Sequence, residues 1–516
     1  TFEIVFVLLS LLGMVAALIA DKMRPGMILF SVVVLFLCAG ILTPKEMLEG
    51  FSNKGMITVA LLFLVSEGIR QSGTLGQVIK KLLPQGKTTV FKAQLRILPS
   101  VAFISAFLNN TPVVVIFAPI IKHWAKSVNL PATKFLIPLS YVTILGGICT
   151  LIGTSTNLVV HGMILEAGFE GFSMFELGKV GVFIAIAGII YIFLFSKRLL
   201  PDARPDTAVP DEEIEEGEKF HRVEAVLGAR FPGINKKLKD FNFQRHYGAE
   251  VKEIKTRNGQ RFVTNLDDVV LHEGDTLVVM ADDTFIPTWG ESSVFVLLTN
   301  GNEPDTSGKK KRWFALLLLV LMIVGATVGE LPVTKEMFPD IKLDMFFFVS
   351  ITTIIMAWTN LFPARKYTKY ISWDILITIA CAFAISKAMV NSGVADSVAK
   401  FIIGLSDDYG PHVLLAMVFI ITNLFTELIT NNAAAALAFP LALSISAQLG
   451  VSPTPFFVVI CMAASASFST PIGYQTNLIV QGIGNYKFTD FVRIGLPLNI
   501  ITFLISVILI PLIWNF

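Results

Sequence analysis

Charge is scarce in this sequence. Only 16% of its residues are Asp, Glu, Lys or Arg and 54% are hydrophobic, against about 25% and roughly 45–50% in soluble domains. Buried helices in a large soluble protein would account for one fully apolar stretch. Here such stretches recur, at Phe6–Ala20, Met27–Leu42, Val180–Phe195, Trp313–Val328 and Ile500–Ile513. With their flanks they approach the ~20 residues of a bilayer-spanning helix, so the expected class is a polytopic α-helical membrane protein surrounded by lipid. Cysteine is scarce too. Cys38, Cys149, Cys381 and Cys461 lie within apolar runs and lack metal-ligand spacing, so they read as small packing residues. No glycine-rich phosphate loop, nucleotide-hydrolysis motif or catalytic constellation is present, and no enzyme is expected. The net charge of +2 gives no reason to expect a nucleic-acid partner. A selectivity filter of the TVGYG type is missing, which ranks a ligand-gated ion channel low.

The few charges are unevenly distributed. If the first helix runs from outside to inside, the inner segments collect Lys22, Arg24, Lys80, Lys81, Lys87, Lys92, Arg96, Lys122, Lys126, Lys197, Arg198, Arg365, Lys366, Lys369 and Arg493. The opposite segments carry Glu46, Glu49, Glu166, Glu170, Glu330, Asp340, Asp407 and Asp408. The positive-inside rule then places both termini outside a plasma membrane and the hydrophilic middle in the cytoplasm. No cleavable signal is evident, and the first helix is expected to direct its own insertion.

Three parts follow. Residues 1–200 form a first membrane half, 201–312 a linker and soluble insert, and 313–516 a second membrane half. The stretch PDARPDTAVPDEEIEEGEKF is a charged linker; HRVEAVLGA, AEVKEIKT and DTLVVMA then alternate as strands do, with NG and EGD turn signals between them. A small α+β domain is expected, closed by the lysine-rich GKKKR before the next membrane helix. The two membrane halves resemble each other. FLNNTPVVVIFAP parallels LITNNAAAALAFP, QSGTLGQVIKKLL parallels NSGVADSVAKFII, and each half has Ile-Gly, two variable residues and Thr-Asn-Leu. Three matches in one order at an offset of about 320 residues mark an internal duplication. Five spanning helices plus one hairpin per half is an odd count, which turns the second copy upside down. The fold expected is an inverted repeat of two five-helix halves, each with a re-entrant hairpin and a broken helix.

The polar interruptions carry the functional reading. Phe91–Leu108 and Val113–Lys122 flank Asn109-Asn110-Thr111-Pro112 and look too short to cross and return; Thr430-Asn431-Asn432 divides a second hairpin. Asn and Thr there are candidate helix caps. GTSTN (Gly153–Asn157) and GYQTN (Gly473–Asn477) interrupt two further apolar helices. Irregular backbone at membrane depth is tolerated only against protein or a polar cavity. Its carbonyls can ligate a hard monovalent cation, and helix N-termini suit an anion. Four symmetric interruptions therefore predict a central site for an anion with cations. They contain no arginine, which leaves neutralisation to co-bound cations and favours symport, and no acid, which argues against a cation/proton antiporter. Lys387 is expected to snorkel to the surface. His161 and Glu427 read first as structural hydrogen-bonders, with a part in ion passage as the alternative.

This arrangement resembles the divalent-anion:sodium symporter family, across both membrane halves. The resemblance implies a first sodium site at Ser105, Asn109, Asn110 and Gly153, and a second at Thr426, Ile429, Asn431 and Gly473. It implies an anion touched by Asn110, Thr111, Thr156, Asn431, Asn432 and Thr476. It further implies a homodimer whose hairpins and broken helices move as an elevator. Family tips read Ser-Asn-Thr and dicarboxylate carriers have Pro-Pro-Asn in the broken helices; this chain has Ser-Thr-Asn and Gln-Thr-Asn. Those departures resemble the branch carrying sulfate and similar inorganic anions, with dicarboxylates the runner-up. The insert resembles a TrkA C-terminal (RCK-C) domain, which implies regulation by a small molecule, nucleotides among the candidates.

Overall fold

A computed structural model describes residues 2–20, 22–202, 220–228, 231–256, 260–282, 294–299, 309–405 and 410–516, with the single positions 285 and 289. Most of the charged linker, the Asn258-Gly259 turn, Asp407 and Asp408 lie outside the described residues. Among the described residues, eight helices are long and apolar enough to cross a membrane, and four shorter apolar helices accompany them.

Among the described residues, nine helices of nine residues or more build the first half: α1 (Phe2–Ala20), α2 (Pro25–Cys38), α3 (Lys54–Gln71), α4 (Thr74–Leu82), α5 (Val90–Ser105), α6 (Asn110–Ser127), α7 (Leu136–Gly147), α8 (Ser155–Glu166) and α9 (Gly178–Leu199). Nine more follow in the second half: α10 (Lys309–Gly329), α11 (Met345–Trp358), α12 (Trp373–Asn391), α13 (Val394–Leu405), α14 (Gly410–Leu428), α15 (Asn431–Leu449), α16 (Thr454–Ser465), α17 (Gln475–Gly484) and α18 (Phe488–Ile513). The two series run through helices of similar length in the same order. The packing is reciprocal as well. Helix α2 packs on α12 as α11 packs on α3, α6 packs on α17 as α15 packs on α8, and α9 packs on α18. Short helices and half-buried apolar faces suit lipid on one side and protein on the other.

Two sequence expectations need correction. The helices of the second hairpin run past the bounds read from the sequence, Val413–Glu427 and Ala433–Ser446: α14 and α15 have 19 residues each and meet the length and hydropathy of spanning helices. Both extend beyond the apolar core of the sequence pattern, so length alone does not make this pair re-entrant. The lysine-rich stretch does not precede α10 but forms its first turn from Lys309. Among the cysteines, Cys381 and Cys461 are buried, whereas Cys149 is half-buried and Cys38 exposed.

Between the halves lies a five-stranded sheet, order β3-β2-β4-β1-β5, formed by β1 (Phe220–Leu227), β2 (Glu250–Lys255), β3 (Arg261–Phe262), β4 (Thr276–Asp282) and β5 (Phe295–Thr299). Its pairs are antiparallel, and one face packs on Phe231, Phe241, Phe243, Tyr247 and Phe295. The three strands read from alternation are β1, β2 and β4; β3 and β5 are additional. The sheet docks on the membrane helices. Lys122 at the end of α6 holds Glu224 of β1 through both carboxylate oxygens at 3.0 Å, and Lys255 of β2 reaches the same carboxylate at 3.4 Å. A Cβ on Gly482 of α17 would meet Thr276 Oγ1 at 2.5 Å. Burial pushes the Glu224 carboxyl up, but Lys122 and then Lys255 outweigh it and bring it down to about 2.

Candidate functional site

Helix starts define the site. Helices α6, α8, α15 and α17 begin after Asn109, Thr154, Thr430 and Tyr474, and none of these four side chains caps its own helix. Elsewhere Asn53 accepts from Gly55 N and Thr89 from Lys92 N in the ordinary way. The expectation that Asn and Thr cap the hairpin tips is therefore corrected: Thr430 Oγ1 is buried without a hydrogen-bond partner, and it is Asn110, Thr111 and Asn432 that bond across the molecule. The first-turn N–H groups, with the positive ends of the helix dipoles, are left to whatever faces them.

The cross-links join the halves. Thr111 Oγ1 donates to Gln475 Oε1 at 3.3 Å. In the symmetry-related place Ser155 Oγ donates to Asn432 Oδ1 at 3.2 Å, as does Thr156 Oγ1. The start of α6 thus touches the start of α17, and the start of α15 touches that of α8. Tyr474 lies at the centre, its hydroxyl 2.6 Å from the Asn110 amide and 3.1 Å from Thr154 Oγ1, with a hydrogen bond to Asn431. Thr476 points elsewhere, 2.8 Å from Ser140 Oγ on α7. Of the six residues expected at the anion, five converge between the tips and Thr476 does not.

The breaks themselves are stapled identically. Asn157 Nδ2 donates to Thr150 O at 2.9 Å and Gly147 O at 3.5 Å; Asn477 Nδ2 donates to Thr470 O at 3.1 Å and Ser467 O at 2.8 Å. Thr150 Oγ1 donates to Ala106 O, and Thr470 Oγ1 to Glu427 O at 3.0 Å. Each threonine also accepts from the N–H of the break glycine, Gly153 or Gly473. The asparagines of the two Thr-Asn motifs therefore hold the breaks open instead of facing a solute.

The first implied sodium set is brought together in part. With Asn110 Nδ2 turned inward, it donates to Ser105 Oγ (2.8 Å), Thr143 O (2.9 Å) and Gly153 O (3.3 Å), while Oδ1 accepts from the Tyr474 hydroxyl. Turned the other way, Oδ1 accepts from Ser105 Oγ at 2.8 Å and faces the carbonyls of Thr143 and Gly153, an oxygen-rich setting that suits a hard cation. Asn109 stands apart, bordering a cavity of about 10 Å³ with Ser155, Ser66 and Ile152, room for about one water-sized particle. In the second set, Thr426 O closely approaches Gly473, whose Cβ would lie 2.3 Å away. Ile429 N closes the last turn of α14 on Phe425 O at 2.8 Å, and Asn431 is turned toward Tyr474.

His161 does what the structural reading expects, its Nδ1 accepting from Phe172 N at 3.0 Å. Lys387 is exposed at the end of α12. The residue that sequence reasoning missed is Tyr474: inside GYQTN, only Gly, Thr and Asn look like helix-breaking signals.

Comparison with known proteins follows the same lines. The sequence profile of the citrate transporter family, CitMHS, matches residues 15–446 and again 343–516. An uncharacterized transporter of Synechocystis is 30% identical over 94% of this chain and 93% of its own. Sodium/sulfate cotransporter 2 of Chlamydomonas reinhardtii is 31% identical over 54% of this chain and 31% of its own. The crystal structure of the YdaH transporter of Alcanivorax borkumensis superposes with a TM-score of 0.52 over 90% of this chain and 86% of that one, at 12% identity, which shows a shared fold.

Proposed function

The chain belongs to the citrate transporter family, and from that premise we propose a secondary active transporter that moves a small divalent anion, sulfate, together with sodium. The observation that carries this reading is the meeting of four uncapped helix starts with reciprocal polar cross-links between the repeats. Convergent helix N-termini favour an anion, and the oxygens around Asn110 and Gly473 favour small hard cations. The sodium/sulfate cotransporter relative supports the choice of ions. A carboxylate substrate is the second reading, favoured by the description of the family as citrate transporters.

A competition panel separates the two readings. Labelled sulfate uptake into proteoliposomes should fall with excess thiosulfate or selenate and hold against excess succinate or citrate. Inhibition by the organic acids alone transfers the assignment to carboxylates.

The reciprocal packing of helices supports inverted repeats, and an elevator movement of the hairpins and broken helices in a homodimer belongs to the same reading. Orientation follows from which charges meet. Glu46 and Glu166 lie beside Asn391 and Asn53, whereas the basic Lys22 and Lys122 segments meet the sheet domain. That supports a cytoplasmic sheet, with both termini outside. The domain touches α6 of one hairpin and α17 of the opposite broken helix, so a bound small molecule there can act on the elements that carry the solute. The Glu224 pair with Lys122 and Lys255 stabilises docking above about pH 4.5 and loses that contribution as pH falls toward 2. Glu224→Lys and Lys122→Glu should each change the uptake rate about threefold or more, in the same direction, and the double exchange should restore most of it. Rates that stay at the wild-type value in both single variants would remove the domain from control of transport.

A further inference from the structure

The two repeats are covered differently at one equivalent pair of positions. At the repeat offset, Leu158 and Gly162 on α8 correspond to Leu478 and Gly482 on α17. In the first repeat the start of α3 lies on this pair. A Cβ on Gly55 would meet Leu158 O at 2.6 Å and Gly162 Cα at 3.1 Å, and Asn53 Nδ2 donates to Gly162 O at 3.3 Å. The counterparts of Asn53 and Gly55 are Trp373 and Ile375, at the start of α12. These do not close on α17: α12 packs mainly on α2 and α15 and makes no extensive contact with α17. Trp373 is left 46% exposed.

The sheet domain stands in that place instead. A Cβ on Gly482 would meet Thr276 Oγ1 at 2.5 Å and Gly274 O at 3.3 Å, and one on Gly274 would meet Leu478 Cβ at 3.6 Å. The turn at 274–276 therefore covers Leu478 and Gly482 as the start of α3 covers Leu158 and Gly162. The same domain also reaches the helices on the other side. Asn235 Nδ2 donates to Lys22 O at 3.2 Å, just before α2, and Gly26 N of α2 donates to Asp374 Oδ1 in the first turn of α12 at 3.3 Å. The domain thus spans from α17 to the paired starts of α2 and α12. Its fit on α17 is close but incomplete. Thr276 Oγ1 is buried without a hydrogen-bond partner, and that unsatisfied group favours release.

We propose that the turn at 274–276 is an autoinhibitory wedge. It occupies on α17 the seat that the start of α12 takes when the two repeats exchange their packing, and transport requires it to leave. This rests on the transport reading with inverted repeats, which alternate by moving against one another. In the exchanged arrangement α3 leaves α8, and Trp373 and Ile375 close over Gly482 and Leu478. Two bodies cannot fill one seat, so a docked turn holds the arrangement seen here. Regulation then has a sign: whatever loosens the domain speeds uptake. Glu224→Lys and Lys122→Glu should both act by raising it.

The test locks the wedge in the full chain. A Cβ on Gly482 would lie 3.8 Å from Thr276 Cβ, the ordinary separation across a disulfide. Oxidised Thr276→Cys/Gly482→Cys in proteoliposomes should lose about tenfold or more of its sulfate uptake and regain it on reduction, because one of two alternating states is then held. Either single variant should be insensitive to the oxidant. Trp373→Cys/Gly482→Cys should cross-link while sodium and sulfate drive turnover, and should then lose uptake as well. Glu224→Lys leaves the turn itself intact and keeps the test open if the paired variants do not fold; its uptake should rise about threefold. Undiminished uptake by the cross-linked first pair, or a fall in Glu224→Lys, overturns the wedge and leaves the transport reading standing. Failure of the first pair to cross-link overturns the wedge as well. A wild type that accumulates no anion overturns the transport reading and the wedge with it.

Discussion

Gly153→Ala and Gly473→Ala should each reduce anion uptake by about two orders of magnitude or more. The new methyl at 153 would lie 2.5 Å from Gly147 O and 2.7 Å from its Cα. At 473 it would lie 2.3 Å from Thr426 O. Ser467 Oγ, 2.0 Å from the methyl at 473, can turn aside, but these other neighbours are backbone atoms, which cannot. Accommodating the methyl means widening the gap between the break and the hairpin, at a cost of about 1–3 kcal/mol or more in strain. That strain falls on the atoms proposed to face the cations, so the loss in transport should exceed the loss in stability. Gly404→Ala is the control, because nothing lies within 4 Å of its added methyl and alanine favours the helix. Thermal melting and uptake on the same preparations check the prediction. Wild-type uptake by both break variants would show that these close approaches serve packing alone.

Loss of the tip amides should be nearly as damaging. Asn110→Ala removes the group that links Ser105, Thr143, Gly153 and Tyr474, and Asn431→Ala removes the corresponding amide of the other repeat. Leaving buried partners unsatisfied costs about 1–3 kcal/mol, or roughly 5- to 150-fold in any equilibrium that depends on them. The sodium concentration for half-maximal uptake should rise and the maximal rate should fall, while the folded protein persists in a melting assay. Uptake near the wild-type rate in both variants would make the tips structural.

The positions of these amides were legible because an Asn pair in an apolar run has few affordable settings. The spacing of Asn110 to Pro119 and Asn431 to Pro440, with Gly153 and Gly473 further on, was enough to align the repeats and expect them to meet. What the pattern could not supply was direction. Thr156 and Thr476 occupy equivalent sequence positions, yet Thr156 reaches Asn432 and Thr476 reaches Ser140. Serine at 140 has no hydroxyl equivalent in the other repeat, where position 460 is isoleucine. Asn157 and Asn477 end the GTSTN and GYQTN motifs, and nothing in the pattern says that their amides bond the backbone carbonyls of the breaks. Tyr474 carries no breaker signal, and its role depends on a neighbour 364 residues away. The short β3 and the late β5 were missed because they are brief strands whose pairing is decided by β2 and β1. Glu427 was visible as a charge in an oily helix, but its partner Asn499, from the last helix, was not.

The most direct measurement is uptake of labelled sulfate into proteoliposomes under an imposed sodium gradient, with potassium substituted in parallel. Concentrative uptake with inward sodium, and none with potassium, is the result this account predicts. Equal accumulation with either cation would contradict it.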